Sequence, residues 1–325
     1  MSTKLCQQKI KLNTGQLMPA VGYGTWQGKP DVNGSTELQD AIVVALEEGY
    51  RHIDTAAAYG VEPDVAAAIK KSGVPREELF IVTKLWNTDH DDVEAAFLKS
   101  LEKLDTEYID LYLMHFPQAN GAGGVALEHP TPAETWLNME AVIKKYPTKL
   151  RAIGVSNFSK KTIDQLLEVA TIKPAVNQVE VNPMWPQPEL RAYFEGLGIH
   201  ITAYSPLGQW DSPLLTDPEI AAIAAKYNVG VGTLLLSWCL ANGVSVIPKS
   251  ARRERMHANI NLLKNLEPED KKFLDEFHFK EGMHRRLCLA GDGTRPTGKE
   301  LIFGWTYEQM GWETFFVDTD ERRPM

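Results

Sequence analysis

Eight times along this chain a short apolar run rich in β-formers is followed by a loop, and most of these runs lead into a stretch with helical periodicity. The runs are residues 20–25, 52–55, 79–84, 109–115, 151–156, 175–181, 200–204 and 244–248. Helical periodicity is clearest over residues 36–48, 91–104, 160–169 and 218–227. The runs are apolar almost continuously rather than alternately, which is the pattern of strands buried on both faces. Eight such β/α units in one chain predict a closed parallel (β/α)8 TIM barrel. The main rival, a doubly wound sheet, usually carries GxGxxG between its first strand and helix. The nearest string, GYGTWQG at 22–28, has the wrong spacing and leads into no helix; GAGG at 121–124 follows no strand. Both read as turns. Before the first run, QKIKLNTGQLMP reads as a hairpin turning at Asn13-Thr14-Gly15.

A length of 325 residues suits one such barrel or two ordinary domains. No Pro/Ser linker or charge block divides the chain, so residues 1–325 read as a single domain, with the barrel over about 8–278. Residues 279–325 lose the β/α rhythm and are rich in Gly, Arg and aromatics, Trp305 and Trp312 among them. Such a tail is too apolar for a plain disordered end. It covers a barrel mouth or makes an oligomer contact, and the mouth is the favoured reading.

With 34 basic and 43 acidic side chains the net charge is −9, which disfavours nucleic acid or an anionic membrane as partner. No apolar run approaches the roughly 18 residues of a spanning helix, and the N-terminus has no signal-like apolar core. The three cysteines, Cys6, Cys239 and Cys288, have neither metal nor redox spacing. A cytoplasmic monomer acting on a small molecule is expected.

In a (β/α)8 barrel the reactive groups sit at the carboxyl ends of the strands. Asp54 ends the second run and Tyr59 stands in the loop after it. Lys84 closes LFIVTK in the third run, and His115 follows DLYLM in the fourth. Each has an ordinary explanation alone: a helix-capping Asp, a packing Tyr, an edge Lys, a satisfied core His. Lys84 constrains most, because an ammonium inside a barrel needs a carboxylate partner or a lowered pKa. Asp54 is the available partner. A lysine beside Tyr59 is expected to stabilise the phenolate and lower its pKa toward neutrality. Tyr59 then serves as general acid toward a developing alkoxide, and His115 orients the carbonyl oxygen. The set needs no nucleophile and no metal. It does need a hydride-carrying cofactor.

GYRHIDTAAAY (49–59), LEKLDTEYIDLYLMHFP (101–117) and VIPKS (246–250) resemble the three signature segments of the aldo-keto reductases, in order and at barrel spacing. The closing HRRLC…GWTYEQMGW is similar to fungal members of that family, which include NADP-dependent glycerol dehydrogenases and glyceraldehyde reductases. The resemblance covers residues 8 to about 315. It implies a catalytic tetrad of Asp54, Tyr59, Lys84 and His115, and reversible reduction of aldehydes and some ketones. It implies nicotinamide contacts from Ser156, Asn157 and Gln178, with Tyr204 stacked on the ring. Thr25, Trp26, Asp54, Ser205 and Leu207 are further implied cofactor residues. The adenosine end falls to IPKSARRERMHAN, with Lys249, Ser250, Arg252, Arg255 and Asn259. Lys249, Arg252, Arg253 and Arg255 put four cations into seven residues of an acidic chain. That concentration favours the 2′-phosphate of NADPH over NADH, the plainer alternative being a basic helix start.

The chain departs from the family pattern at Ala258, where Glu is usual before the adenine-side Asn, at Arg252, where a small hydroxyl residue is common, and at Val61, where Asn often follows the Tyr-Gly pair. Trp26, Trp86, His115 and Phe116 should line the substrate mouth. Aromatic walls suit flat or apolar carbonyls, whereas the fungal resemblance points to short polyol aldehydes. Two other readings remain open: a nicotinamide-binding barrel without turnover, and a metal-dependent barrel hydrolase, which would need a metal-ligand cluster the sequence does not display.

Overall fold

The computed structural model describes residues 8–28, 36–209, 211–288 and 301–312. A hairpin of β1 (Lys9–Lys11) and β2 (Leu17–Pro19) pairs Ile10 with Met18 and turns at Asn13-Thr14-Gly15, with Gly15 in the left-handed region. Each of the eight apolar runs then supplies one strand: β3 (Tyr23–Gly24), β4 (His52–Asp54), β5 (Phe80–Leu85), β6 (Leu111–Met114), β7 (Ile153–Ser156), β8 (Val176–Glu180), β9 (His200–Tyr204) and β10 (Ser245–Val246). They form one parallel sheet in chain order. The sheet closes on itself: Val21 pairs with Val246, the Gly22 amide donates to Val246 O at 2.8 Å, and the Gly24 amide donates to Pro248 O at 3.1 Å.

This seam decides between the two overlapping readings, a strand over 20–25 and a turn at GYGTWQG, in favour of the strand. Tyr23 and Gly24 are strand, and the glycine is there for close approach: a Cβ on Gly24 would lie 2.7 Å from Ile247 O. GAGG is a loop carrying one short 3-10 turn, Ala122–Gly124.

Helices wrap the outside. They are α1 (Thr36–Glu48), α2 (Glu62–Ser72), α3 (Val93–Lys103), α4 (Pro132–Lys145), α5 (Lys160–Leu167), α6 (Pro188–Gly196), α7 (Pro218–Lys226), α8 (Val231–Ala241), α9 (Arg253–Ile260) and α10 (Pro268–Glu276). Their starts are chemical. Asp92 accepts from Ala95 N, Ser159 and Thr162 form a capping box, and Asp217 accepts from the amides of Glu219 and Ile220. The cap at Asp92 explains why α3 begins two residues later than the periodicity suggests. Among the described residues no single helix is long and apolar enough to cross a membrane.

The hairpin packs against the barrel interior. Leu12 and Met18 join Phe80, Val82, Leu111, Leu113, Ala152, Ala175 and Val176 in one apolar cluster, and Asn13 Nδ2 donates to Pro174 O at 2.8 Å. At the opposite, carboxyl end, part of the tail packs against the loops. Gln118 Nε2 donates to Ile302 O at 2.5 Å and Asn120 Nδ2 to Phe303 O at 2.8 Å, and a capping box of Thr306 and Gln309 starts α11 (Tyr307–Met310). The rest of the aromatic tail, residues 289–300 and 313–325, lies outside the described residues.

Gly154 measures how tightly the barrel is filled, since a Cβ there would meet Leu113 Cδ2 and Val176 O, both at 2.7 Å. Gly154→Ala should cost about 1–3 kcal/mol by overpacking. The check is a lower urea midpoint at unchanged slope; an unchanged midpoint would mean the strands can separate at no cost.

Candidate active site

Asp54 and Lys84 face each other because of register. Asp54 on β4 lies beside Val82 on β5, and Lys84 is two residues further along, so it points to the same face of the sheet. Both side chains are fully buried. Lys84 Nζ donates to Asp54 Oδ1 at 2.5 Å and to Thr55 O at 2.8 Å. The other carboxylate oxygen, Oδ2, accepts from Gln178 Nε2 at 2.6 Å. Burial pulls the Lys84 ammonium below its ordinary value, and the Asp54 charge and hydrogen bond oppose that.

Tyr59 is carried by a single 3-10 turn, Ala57–Tyr59, ended by Gly60 in the left-handed region (φ 71°). Lys84 Nζ stands 5.2 Å from the Tyr59 ring centroid. Val61 is buried in the core at the start of α2. Next to it, the buried Glu62 accepts from Thr83 Oγ1 at 2.7 Å, which ties the loop bearing Tyr59 to the strand bearing Lys84.

One electrostatic expectation is overturned here. Burial pushes the Tyr59 phenol well above its ordinary value, and the Asp54 carboxylate adds to the rise. Desolvation of the phenolate outweighs the lysine, so Tyr59 is held protonated rather than shifted toward neutrality. His115 is held neutral for the matching reason: burial, then the Lys84 charge, lowers it well below the usual histidine range. Its Nδ1 has no hydrogen-bond partner among the described residues.

Aromatic rings surround this cluster. His115 lies 5.7 Å from Tyr59, 5.2 Å from Trp86 and 5.3 Å from Phe116, and Trp26 lies 5.0 Å from Tyr59, all between ring centroids. Phe303 completes the group, 5.2 Å from Trp86 and 4.7 Å from Phe116. Sequence reasoning missed it. The only signal was its place in an aromatic tail, where Trp305 and Trp312 draw more notice.

The residues expected at a nicotinamide lie along the adjoining strand ends. Ser156 Oγ donates to Gln178 O at 2.8 Å. Asn157, a non-glycine at φ 65°, donates from Nδ2 to His115 O at 3.0 Å and accepts from Tyr204 OH at 2.8 Å. Thr25 is less free than expected, because its amide and hydroxyl both donate to Asp54 O, at 3.1 and 3.0 Å. Ser205 is at φ 45° and its carbonyl accepts from Gly208 N at 2.9 Å, making a tight turn that contains Leu207. Leu207 and Asn259 approach the same spot on α8, since a Cβ on Gly232 would meet Leu207 Cδ1 at 3.6 Å and Asn259 Oδ1 at 3.9 Å.

Ser250 is buried and its Oγ accepts from Arg252 N at 3.1 Å, at the start of α9. Lys249, Arg252 and Arg255 are exposed and have no carboxylate partner among the described residues. Arg253 departs from the expected four-cation set: it pairs with Glu47 and Glu48, and His257 joins Glu48 at 2.8 Å. The cluster is therefore three free cations beside the amino end of a helix, an arrangement suited to a phosphate. With an amide and hydroxyl edge at Ser156, Asn157 and Gln178, this donor set fits a nicotinamide dinucleotide phosphate. Among the described residues no group of three or more His, Cys, Asp or Glu is placed to hold a metal ion.

The chain is thus an eight-stranded parallel barrel with Asp54, Lys84 and His115 buried and Tyr59 half-buried at its carboxyl end. Residues 20–278 match the model of the aldo/keto reductase family, and the chain belongs to that family. It is 41% identical over 312 residues to human aldo-keto reductase family 1 member A1, covering 88% of this chain and 94% of that protein. It is 40% identical over 304 residues to the glycerol 2-dehydrogenase (NADP(+)) of Saccharomyces cerevisiae, covering 87% of this chain and 94% of the yeast protein. Among solved structures, a Bombyx mori aldo-keto reductase in complex with NADP superposes with a TM-score of 0.79 at 38% identity, over 87% of this chain and 95% of that one.

Removing Asp54 alone would strand a buried ammonium, at a cost of about 3–5 kcal/mol. Asp54→Ala should therefore lose that much unfolding free energy, and adding Lys84→Met should recover a large part of it. If the double variant is no more stable than Asp54→Ala, the two charges do not compensate each other.

Proposed function

We propose that the protein reduces aldehydes, and some ketones, to alcohols with NADPH, and catalyses the reverse oxidation under suitable conditions. One observation carries this reading: Lys84 Nζ lies 2.5 Å from Asp54 and 5.2 Å from the Tyr59 ring centroid, with His115 alongside Tyr59. Reduced nicotinamide would supply the hydride. Ser156, Asn157 and Gln178 would hold its carboxamide, Tyr204 its ring, and Lys249, Arg252 and Arg255 the 2′-phosphate. Two relatives support this assignment: the yeast protein is a glycerol 2-dehydrogenase (NADP(+)), and the silkworm aldo-keto reductase structure is a complex with NADP.

The protein's own groups divide the remaining work. His115, neutral, orients the carbonyl oxygen by hydrogen bonding. Tyr59, protonated, delivers the proton to that oxygen as charge develops on it. Lys84, held by Asp54, stabilises the phenolate left behind. Trp26, Trp86, Phe116 and Phe303 exclude water and present flat apolar walls, which favours aldehydes with flat or apolar tails over polyol aldehydes. The chain is taken as a single domain acting as a cytoplasmic monomer.

The direct test follows NADPH absorbance with an aromatic aldehyde and with glyceraldehyde, then repeats both with NADH. Rapid loss with NADPH alone is expected, and Lys249→Ala should raise KM for NADPH by about tenfold, one charge-assisted contact, with little change for NADH. Equal rates with both cofactors would discard the phosphate reading. No turnover despite cofactor binding would leave a non-catalytic barrel.

Tyr59→Phe should keep cofactor affinity and lose about 10²–10⁴ in kcat, the usual worth of a general acid. Since Tyr59 stays protonated and His115 neutral, kcat/KM for reduction should be flat between pH 6 and 8. A histidine-like ionisation near pH 6.5 in that profile would assign the wrong protonation state to His115.

A further inference from the structure

Two separate pieces of the tail meet on the residues assigned to the nicotinamide. Tyr204 ends β9, and its hydroxyl donates to Asn157 Oδ1 at 2.8 Å and accepts from Arg286 Nη2 at 3.3 Å. The Arg286 guanidinium lies over the Trp312 ring, 3.8 Å from its centroid. Trp312 Nε1 in turn donates to Asn157 O at 3.3 Å. The contacts form a closed circuit of Asn157, Tyr204, Arg286 and Trp312.

Each part of the circuit is anchored from outside. Arg286 is buried, and its Nε faces the buried carboxylate of Glu180 at 3.3 Å. The other oxygen of Glu180 accepts from Leu287 N at 2.6 Å and Cys288 N at 3.1 Å, so one carboxylate both balances the arginine and fixes the chain next to it. Trp312 is set by the turn after α11. Lys161 Nζ donates to Glu308 O at 2.9 Å, and a Cβ on Gly311, at φ 64°, would come within 2.8 Å of Lys161 Cβ. The tail thus docks on the start of α5, just after Asn157.

Asn157 needs such support. It is a non-glycine residue in the left-handed region, a conformation that persists where surroundings over-determine it. Its side chain is held by Tyr204 OH and His115 O, and Trp312 holds its carbonyl.

We propose that Arg286 and Trp312 are positioning residues of the nicotinamide site, so that the tail sets cofactor affinity as well as the shape of the substrate mouth. This rests on the assignment of Asn157 and Tyr204 to the nicotinamide made above. Phe303 marks the contrast. It belongs to the same tail, but its ring meets the aromatic wall at Trp86 and Phe116 and its carbonyl accepts from Asn120 Nδ2, contacts apart from Asn157 and Tyr204, so it should govern substrate alone.

The test is calorimetric titration of NADPH and NADP+ into the full chain and into Trp312→Ala, Trp312→Phe, Arg286→Met and Phe303→Ala, alongside KM for an aromatic aldehyde. Trp312→Ala should weaken cofactor binding by about tenfold, the worth of one lost hydrogen bond and its stacking. Trp312→Phe, which keeps a ring over the guanidinium but loses the N–H, should fall between it and the parent. Phe303→Ala should raise aldehyde KM at unchanged cofactor affinity. Parent-like cofactor affinity in Trp312→Ala and Arg286→Met would overturn the proposal while leaving the reductase reading intact. If the parent itself bound neither cofactor, that reading and this one would fall together. Should Trp312→Ala fail to fold, Trp312→Phe and Arg286→Met decide between the same outcomes.

Discussion

The site depends on an ammonium placed where water does not reach. Lys84 is fully buried on β5, and an isolated charge there would be too costly to keep. Asp54 offsets that cost at 2.5 Å, Thr55 O adds an acceptor, and Gln178 satisfies the second carboxylate oxygen. Three strands, β4, β5 and β8, must hold their places for these contacts to coexist. The seam between Val21 and Val246, the filling of the barrel floor by the hairpin, and the Glu62–Thr83 bond all serve that requirement.

Burial also decides the protonation states around the pair. Ordinary electrostatics would let a lysine lower a neighbouring phenol, but burial, with the Asp54 charge, raises Tyr59 and it remains an acid. The same burial keeps His115 neutral. A protonated phenol, a neutral imidazole and a compensated ammonium form a set suited to receiving negative charge on a carbonyl oxygen. The free cations lie elsewhere, at Lys249, Arg252 and Arg255 by the start of α9. A bound dinucleotide reaching between the two regions would have its phosphate end and its reactive end recognised by different physics.

The tail belongs to this arrangement rather than to the periphery. Through Phe303 it closes the aromatic wall, and through Arg286 and Trp312 it grips Tyr204 and Asn157. Glu180, at the end of β8, joins barrel to tail with one buried carboxylate. The aromatic wall and the Asn157–Tyr204 edge are therefore both contacted by the tail.

Local pattern alone determined much of this protein. Near-continuous apolar runs marked all eight strands, because strands covered on both faces tolerate little polarity, and the Asn13-Thr14-Gly15 turn marked the hairpin. Asp54, Lys84 and His115 stood out because a polar group ending such a run must be explained. Other features came only from tertiary structure. The pairing of Arg253 with Glu47 and Glu48 joins residues about two hundred positions apart, so no local signal could separate it from Lys249, Arg252 and Arg255. The run over 20–25 marked the strand at Tyr23–Gly24, but the reason for its glycine, close approach at the closing seam rather than a turn, came only from the fold. The direction of the Tyr59 shift depends on how much water the folded pocket excludes. Phe303, Arg286 and Trp312 acquire their partners only when the tail returns across the barrel, since those contacts are set by shape in three dimensions rather than by any spacing along the chain.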